Sequence, residues 1–277
     1  MKLRNIFLVI VVLIIVAIAA VVYIIYPQYK SFMHEETVIY DKDLTLIMGG
    51  GGNSGVLVTD SAIVVIDSKM SRPAQNLNKL AREKAGSKPI IVINTHYHGD
   101  HVNGNQFYKR HKIYIGAYNK DFLAKNINSE NQPNTFVKDS LLLNMGNESL
   151  LLVNLGQAHT YDDMVVYLVK RKVLFSGDLV QNKINPFLKK ESGANVDKWI
   201  QVLDRIMKGF EMVTIIPGHG KIGGKELVTT MYQYFTDMKS AADDAQKEPA
   251  LVAKYATWQK MPGISSPENT IKFIKVK

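Results

Sequence analysis

Five of the seven histidines in this 277-residue chain fall into three short motifs. They are Thr95-His96-Tyr97-His98-Gly99-Asp100-His101, Gln157-Ala158-His159-Thr160 and Pro217-Gly218-His219-Gly220, and Asp178 in Phe175-Ser176-Gly177-Asp178 joins them. Neutral imidazole and carboxylate are what a borderline cation such as Zn²⁺ takes when it keeps an open position for water, so the set points to catalytic metal ions. On a tight loop alternate residues point the same way. His96 and His98 can then serve one metal while Asp100 and His101 turn toward a second, about 3.5–4 Å away. A lone His-x-His would be weak; this cluster, followed in order by the other three motifs, is specific. His34 and His111 match no motif and read as incidental.

The elements that must hold these residues are legible in outline. Leu44 to Met48, Gly55 to Thr59 and Ala62 to Asp67 read as three strands, the first two flanking Gly49-Gly50-Gly51-Gly52-Asn53. No Gly-Lys-Ser/Thr follows that glycine run, so it reads as a tightly turning connection and not as a phosphate loop. Ser71 to Ala85 is helical in composition, and Pro89 to Asn94 is an apolar strand that delivers the first histidine motif at its C-terminal end. Leu150 to Leu155 precedes His159, Lys172 to Ser176 runs into Asp178, and Val213 to Ile216 runs into Pro217-Gly218-His219. Each ligand is thus expected just past a strand, where layered α/β folds gather active groups. Val196 to Lys208 reads as a helix with a core face, Lys225 to about Lys260 as helical again, and Thr270 to Ile274 as a closing strand. Residues 31–277 read as one domain, without short-period repeats or low-complexity tracts.

The first 30 residues are different. From Ile6 to Tyr26 no residue is charged, and at about 1.5 Å per residue a helix of that length spans roughly the 30 Å of a bilayer's hydrocarbon. Lys2 and Arg4 precede it, which favours a cytoplasmic N-terminus and an extracytoplasmic domain, periplasmic or at the cell surface. Residues 1–30 are therefore expected to be a membrane anchor, with residues 27–38 as a polar tether. The competing reading is a cleaved signal peptide with Ala17-Ile18-Ala19 at the cut and a secreted product, but a signal's apolar core is about 7–15 residues and this one continues to Tyr26. Absence of cysteine excludes disulfides, a thiolate ligand and a cysteine nucleophile. The net charge of +9 is spread along the chain without basic and aromatic residues interleaved, so no nucleic-acid partner is expected. Lys183, Lys189 and Lys190 form the one local basic group, read as a solvated loop or the rim of a site for anions.

Across roughly residues 40–225 the motifs resemble those of the metallo-β-lactamase superfamily. The resemblance implies an α/β fold, a four-layer αββα sandwich, with a dinuclear site at one edge of the two sheets. It implies that His96, His98 and His159 hold one metal, that Asp100, His101 and His219 hold the other, and that Asp178 bridges them. A histidine at 98, where the di-iron branch generally has glutamate, favours two zinc ions per chain. The implied activity is hydrolysis of a small-molecule ester, thioester, lactone or amide, a β-lactam included. In it a hydroxide, formed from a zinc-bridging water whose pKa is lowered to about 7, attacks the carbonyl, and Asp100 orients it or carries its proton to the leaving group. Two positions depart from the best-known lactamase subclass: Asp178 replaces its cysteine ligand and Gln181 its substrate-binding lysine. An alternative of the same fold, a mononuclear iron persulfide dioxygenase, would use His96, His98, His159 and Asp178. Asp67 matches a position that is usually structural and close to the site, Asp162 and Asp163 read as orienters of ligand imidazoles or as loop carboxylates, and Tyr97 and Tyr161 lie beside ligands.

Overall fold

The computed structural model describes residues 3–260 and 265–276. A first helix, α1 (Leu3–Met33), runs through Pro27. Residues 27–38 are therefore no tether: the helix continues to Met33, and β1 (Glu35–Ile39) pairs with β2 (Leu44–Gly49) directly after it. Among the described residues no helix is long and apolar enough to cross a membrane, and the expected span, residues 6–26, falls in part outside the residues whose side chains are described.

Two mixed sheets follow. The first holds β1, β2, β3 (Ser54–Val58), β4 (Ile63–Ile66), β5 (Ile90–Ile93), β6 (Lys112–Gly116) and β7 (Thr135–Val137), in that spatial order. It is antiparallel up to β4 and parallel from β4 onward. The second holds β8 (Ser140–Asn144), β9 (Ser149–Gly156), β10 (Asp163–Leu168), β11 (Val173–Gln181) and β12 (Thr214–His219), antiparallel except for the β11–β12 pair. Side chains alternate across each strand, so one strand feeds two cores. Val64 and Ile66 of β4 pack between the sheets with Met164, Val166 and Phe175. Ile63 and Val65 face the other way, onto Leu77 and Ala81 of α2 (Ser71–Ala85). On the far side Val165 and Leu174 meet Trp199 and Leu203 of α5 (Val196–Gly209) and Met231 and Phe235 of α6 (Glu226–Asp243). The layering is helix, sheet, sheet, helix.

The C-terminal segment differs from expectation. The helical stretch breaks after α6, resumes as α7 (Glu248–Lys254), and the expected strand at Thr270–Ile274 lies inside α8 (Pro267–Lys275). Ser266 caps that helix by accepting from Asn269 N at 3.1 Å, and Pro267 starts it, a signal that outweighs the β-branched residues that follow. Two short helices, α3 (Gly99–Val102) and α4 (Lys120–Asn126), of about one and two turns, carry residues near the site. At the opposite edge Arg171 ties three turns together through Asp41 (2.7 Å), Asp43 (3.2 Å) and the buried Glu148 (2.8 Å).

Candidate metal centre

The C-terminal end of β5 releases the chain at Asn94, whose side-chain amide donates to His101 O at 2.8 Å and so draws the following turn back over the strand. His96 and His98 sit on that loop, and α3 carries Asp100 and His101. His159 lies in the connection from β9 to β10, as expected. Asp178 and His219 do not lie past their strands: Asp178 is inside β11 and His219 is the last residue of β12. The β11–β12 register shifts at Gly177, and such irregularities re-aim a side chain, here toward the histidines. Gly218 makes room, since a Cβ there would lie 2.0 Å from Asp178 Oδ1.

All seven expected ligands converge. They form two groups whose ligand atoms each lie within 4.8 Å of one another: His96, His98, His159 and Asp178, and Asp100, His101 and His219. The two carboxylate oxygens of Asp178 diverge between them. Oδ2 is 3.5 Å from His159 Nε2, whereas Oδ1 is 3.3 Å from both His101 Nε2 and His219 Nε2. Asp100 Oδ2 is 3.3 Å from His219 Nε2 and 3.6 Å from His101 Nε2. His159 Nε2 and His98 Nδ1 face each other at 3.0 Å, and the buried Nε2 of His96 has no hydrogen-bond partner.

The electrostatics separate the groups. Burial, reinforced by neighbouring imidazoles, pushes His96 well down, His98 to about 4 and His159 to about 3, which leaves neutral nitrogens with free lone pairs. In the second group burial opposes protonation, but Asp178 and Asp100 hold His219 up at about 10, and Asp67, Asp100 and Asp178 raise His101. Burial works against ionised Asp100 and Asp178, yet those two histidines keep both carboxylates well below the usual range. The acids thus gather positive charge from protons where cations would otherwise sit. Imidazoles aimed at one another, an orphaned nitrogen and a carboxylate shared by two groups are the donor set that a pair of borderline dications fits.

Residues 47–222 match the Metallo-beta-lactamase superfamily. The chain belongs to that superfamily. It is 26% identical to metallo-beta-lactamase type 2 of Bacillus cereus over 180 residues, covering 64% of this chain and 70% of that protein. It is 29% identical to metallo-beta-lactamase IND-1 of Chryseobacterium indologenes over 185 residues, covering 64% and 77%. A solved metallo-beta-lactamase from Pontibacter korlensis shares the fold at 20% identity, with a TM-score of 0.64 over 74% of this chain and all of the other. The chain is a metal-dependent hydrolase of the superfamily.

Around these converging side chains a second layer of hydrogen bonds fixes their orientation. Asp67 Oδ2 lies 2.8 Å from His101 Nδ1, and its carboxylate also accepts from Thr95 N and Oγ1 at 2.7 and 2.9 Å. Asp163 acts on the loop and not on an imidazole: it accepts from Ala158 N and Thr160 N at 3.1 and 2.8 Å, and burial pushes its pKa up to about 7. Asp162 contacts Thr160 Oγ1 at 2.9 Å. Gln181 turns inward and donates to Asp178 Oδ2 at 3.3 Å. Tyr97 packs on His98, and Tyr161 stacks on Tyr118 at 4.5 Å, so both belong to an aromatic wall that Phe122 completes.

Three features were not read from the sequence. The glycine run presses against the second ligand group: a Cβ on Gly51 would lie 2.9 Å from Asp100 Cβ, and one on Gly52 only 2.4 Å from the His101 ring. Lys69, fully buried, grips the run from below, donating to Gly49 O and Gly52 O at 2.5 and 2.6 Å, and burial lowers its pKa to about 7. Asn53 joins the run to the His219 turn by donating through Nδ2 to Pro217 O and Gly220 O at 2.8 and 2.9 Å. The basic group also falls elsewhere: Lys189 and Lys190 line a cleft against α8, whereas Lys221 and His34 line the one that reaches His219.

Proposed function

We propose that this chain is a dinuclear zinc hydrolase that cleaves a carbonyl bond: an ester, thioester, lactone or amide, β-lactams included. His96, His98 and His159 would hold one ion, Asp100, His101 and His219 the other, and Asp178 both. The observation that carries this is the divergence of the Asp178 oxygens toward the two imidazole groups. Two zinc ions held there would lower the pKa of a water to about 7 and polarise the substrate carbonyl. Asp100, partly open to solvent and 3.3 Å from His219 Nε2, would orient that water and accept its proton for the leaving group. Gln181 fixes the Asp178 carboxylate, and Asp67 fixes the ring of His101.

The relatives are named metallo-beta-lactamases, which places a β-lactam on the substrate panel. Residues 6–26 are proposed to anchor the protein in a membrane, with the hydrolase domain, residues 31–277, outside the cytoplasm. Ile10, Val12, Leu13, Ile14, Ile15, Val16, Ile18 and Val22 are all at least half exposed on α1, an apolar surface that water does not accommodate on a soluble monomer. The test is a turnover panel of a β-lactam, an acyl lactone, an S-acyl thioester and a phosphodiester on the zinc-loaded chain, with metal content measured on the same sample. Cleavage of at least one carbonyl substrate with two zinc ions bound is expected. Cleavage of the phosphodiester alone overturns the carbonyl assignment, and one iron per chain with oxygen uptake on a persulfide selects the dioxygenase.

A further inference from the structure

A single residue, His34, joins α1 to β1. Its carbonyl accepts from Gly50 N at 2.8 Å, and the ladder continues as Glu35 opposite Gly49. Gly50 adjoins Gly51, the residue packed against Asp100. The apolar helix therefore leaves the domain at the rim of the metal site, and not at the opposite edge where Arg171 sits. A cleft of about 440 Å³ opens at this junction and runs to His219. That is within the usual size of a small-molecule site, roughly 300–1,000 Å³. Val38, Met48, Ile184 and Ile222 line it. Val38, Met48 and Ile222 are backed by the core between the sheets, which leaves apolar faces open to the cleft. Lys221 and Glu36 stand exposed at its edge.

We infer that the cleft takes the apolar chain of a membrane-borne carboxylic ester, drawn from the bilayer surface at which α1 emerges, with the carbonyl lodged beside Asp100 and His219. The inference rests on the hydrolase and anchor readings above and specifies their substrate. Water adds across the acyl C–O bond, which breaks to give a carboxylate, an alcohol and one released proton. Each methylene that enters the cleft leaves water, so efficiency must grow with chain length. A substrate in the same bilayer as the anchor also meets the site at a raised effective concentration.

The test uses the zinc-loaded full chain in phosphatidylcholine vesicles with 4-nitrophenyl esters from acetate to decanoate. The kcat/KM for decanoate is expected to exceed that for acetate by at least about 30-fold, and Ile222→Asn and Val38→Asn to lower that ratio at least about fivefold. Decanoate ester in the protein's own vesicles is expected to be cleaved at least about tenfold faster than in separate ones. A ratio near one, a ratio unchanged in both variants, or equal rates in shared and separate vesicles overturns this inference, while turnover of acetate keeps the hydrolase reading. Absence of turnover of every ester in the series with two zinc ions bound overturns this inference, and if no carbonyl substrate of the panel is cleaved either, the hydrolase reading falls with it.

Discussion

Asp67 and His101 are 34 residues apart in sequence, yet the Asp67 carboxylate lies 2.8 Å from His101 Nδ1, and both side chains are buried. The contact fixes which nitrogen of His101 faces the cluster, because a turned ring would lose its hydrogen bond to the buried carboxylate. Asp67→Asn is expected to weaken binding of the second metal about 10–100-fold while the first is retained. Chelator competition on the variant checks this; two metals bound as tightly as in the wild type would contradict it.

Metal uptake should depend on pH at one group and not at the other. His98 and His159, at about 4 and about 3, have no proton to release near neutrality. His219, held at about 10 against burial by Asp178 and Asp100, must lose one, and so must His101, which Asp67, Asp100 and Asp178 raise against burial. Between about pH 6 and 9 the ion at Asp100, His101 and His219 is expected to lose about a hundredfold in affinity per unit of acidification, one factor of ten for each proton, and the ion at His96, His98 and His159 to stay level. Zinc titration at three pH values reads both. The His219 proton stabilises the metal-free fold fully below the unfolded value of 6.5 and ceases to do so as pH rises through about 10. The Tm of the metal-free protein should therefore fall over that window.

Gly52→Ala inserts a methyl where the nearest atom of His101 is 2.4 Å away. The turn or the imidazole must shift, and kcat/KM is expected to fall about 100-fold, the scale of a 1 Å misplacement at a reacting centre. Gly209→Ala, with nothing within 4 Å, is the matched control and should be neutral or slightly stabilising. Equal kinetics in the two variants would remove the glycine turn from the site.

The reach of the sequence ended where tertiary contacts begin. The seven converging side chains were legible because each sits in a short motif whose residue types are chemically restrictive, and β2 to β5 because their apolar runs are continuous. β1 passed for a tether because it opens on Glu35 and Glu36 and buries none of its five residues fully, as suits the edge of a sheet. β6, β7 and β8, of five, three and five residues, gave too little periodicity, and β10 was not separated from the loop before it. Asp178 was placed past its strand because a register shift leaves no mark in composition. Lys69 carried no signal at all: its buried position depends on two carbonyls supplied by a turn 17 and 20 residues away.

Arg171→Met leaves Glu148, whose side chain is fully buried, without its cation. Because Asp41 and Asp43 lose the same partner, a loss of about 3 kcal/mol in unfolding free energy is expected. The site lies at the other edge, so kcat should stay within about twofold of the wild type at a temperature where both are folded. Denaturant unfolding and steady-state rates on one preparation separate the two effects.

The central claim is that two ions, shared through Asp178, drive hydrolysis of a carbonyl. The most direct measurement is the rate of ester or β-lactam cleavage as the metal-free chain is titrated with zinc. The account predicts a rise that reaches its plateau at two equivalents and a collapse on adding chelator. A plateau at one equivalent, or no carbonyl cleavage with two ions bound, would contradict it.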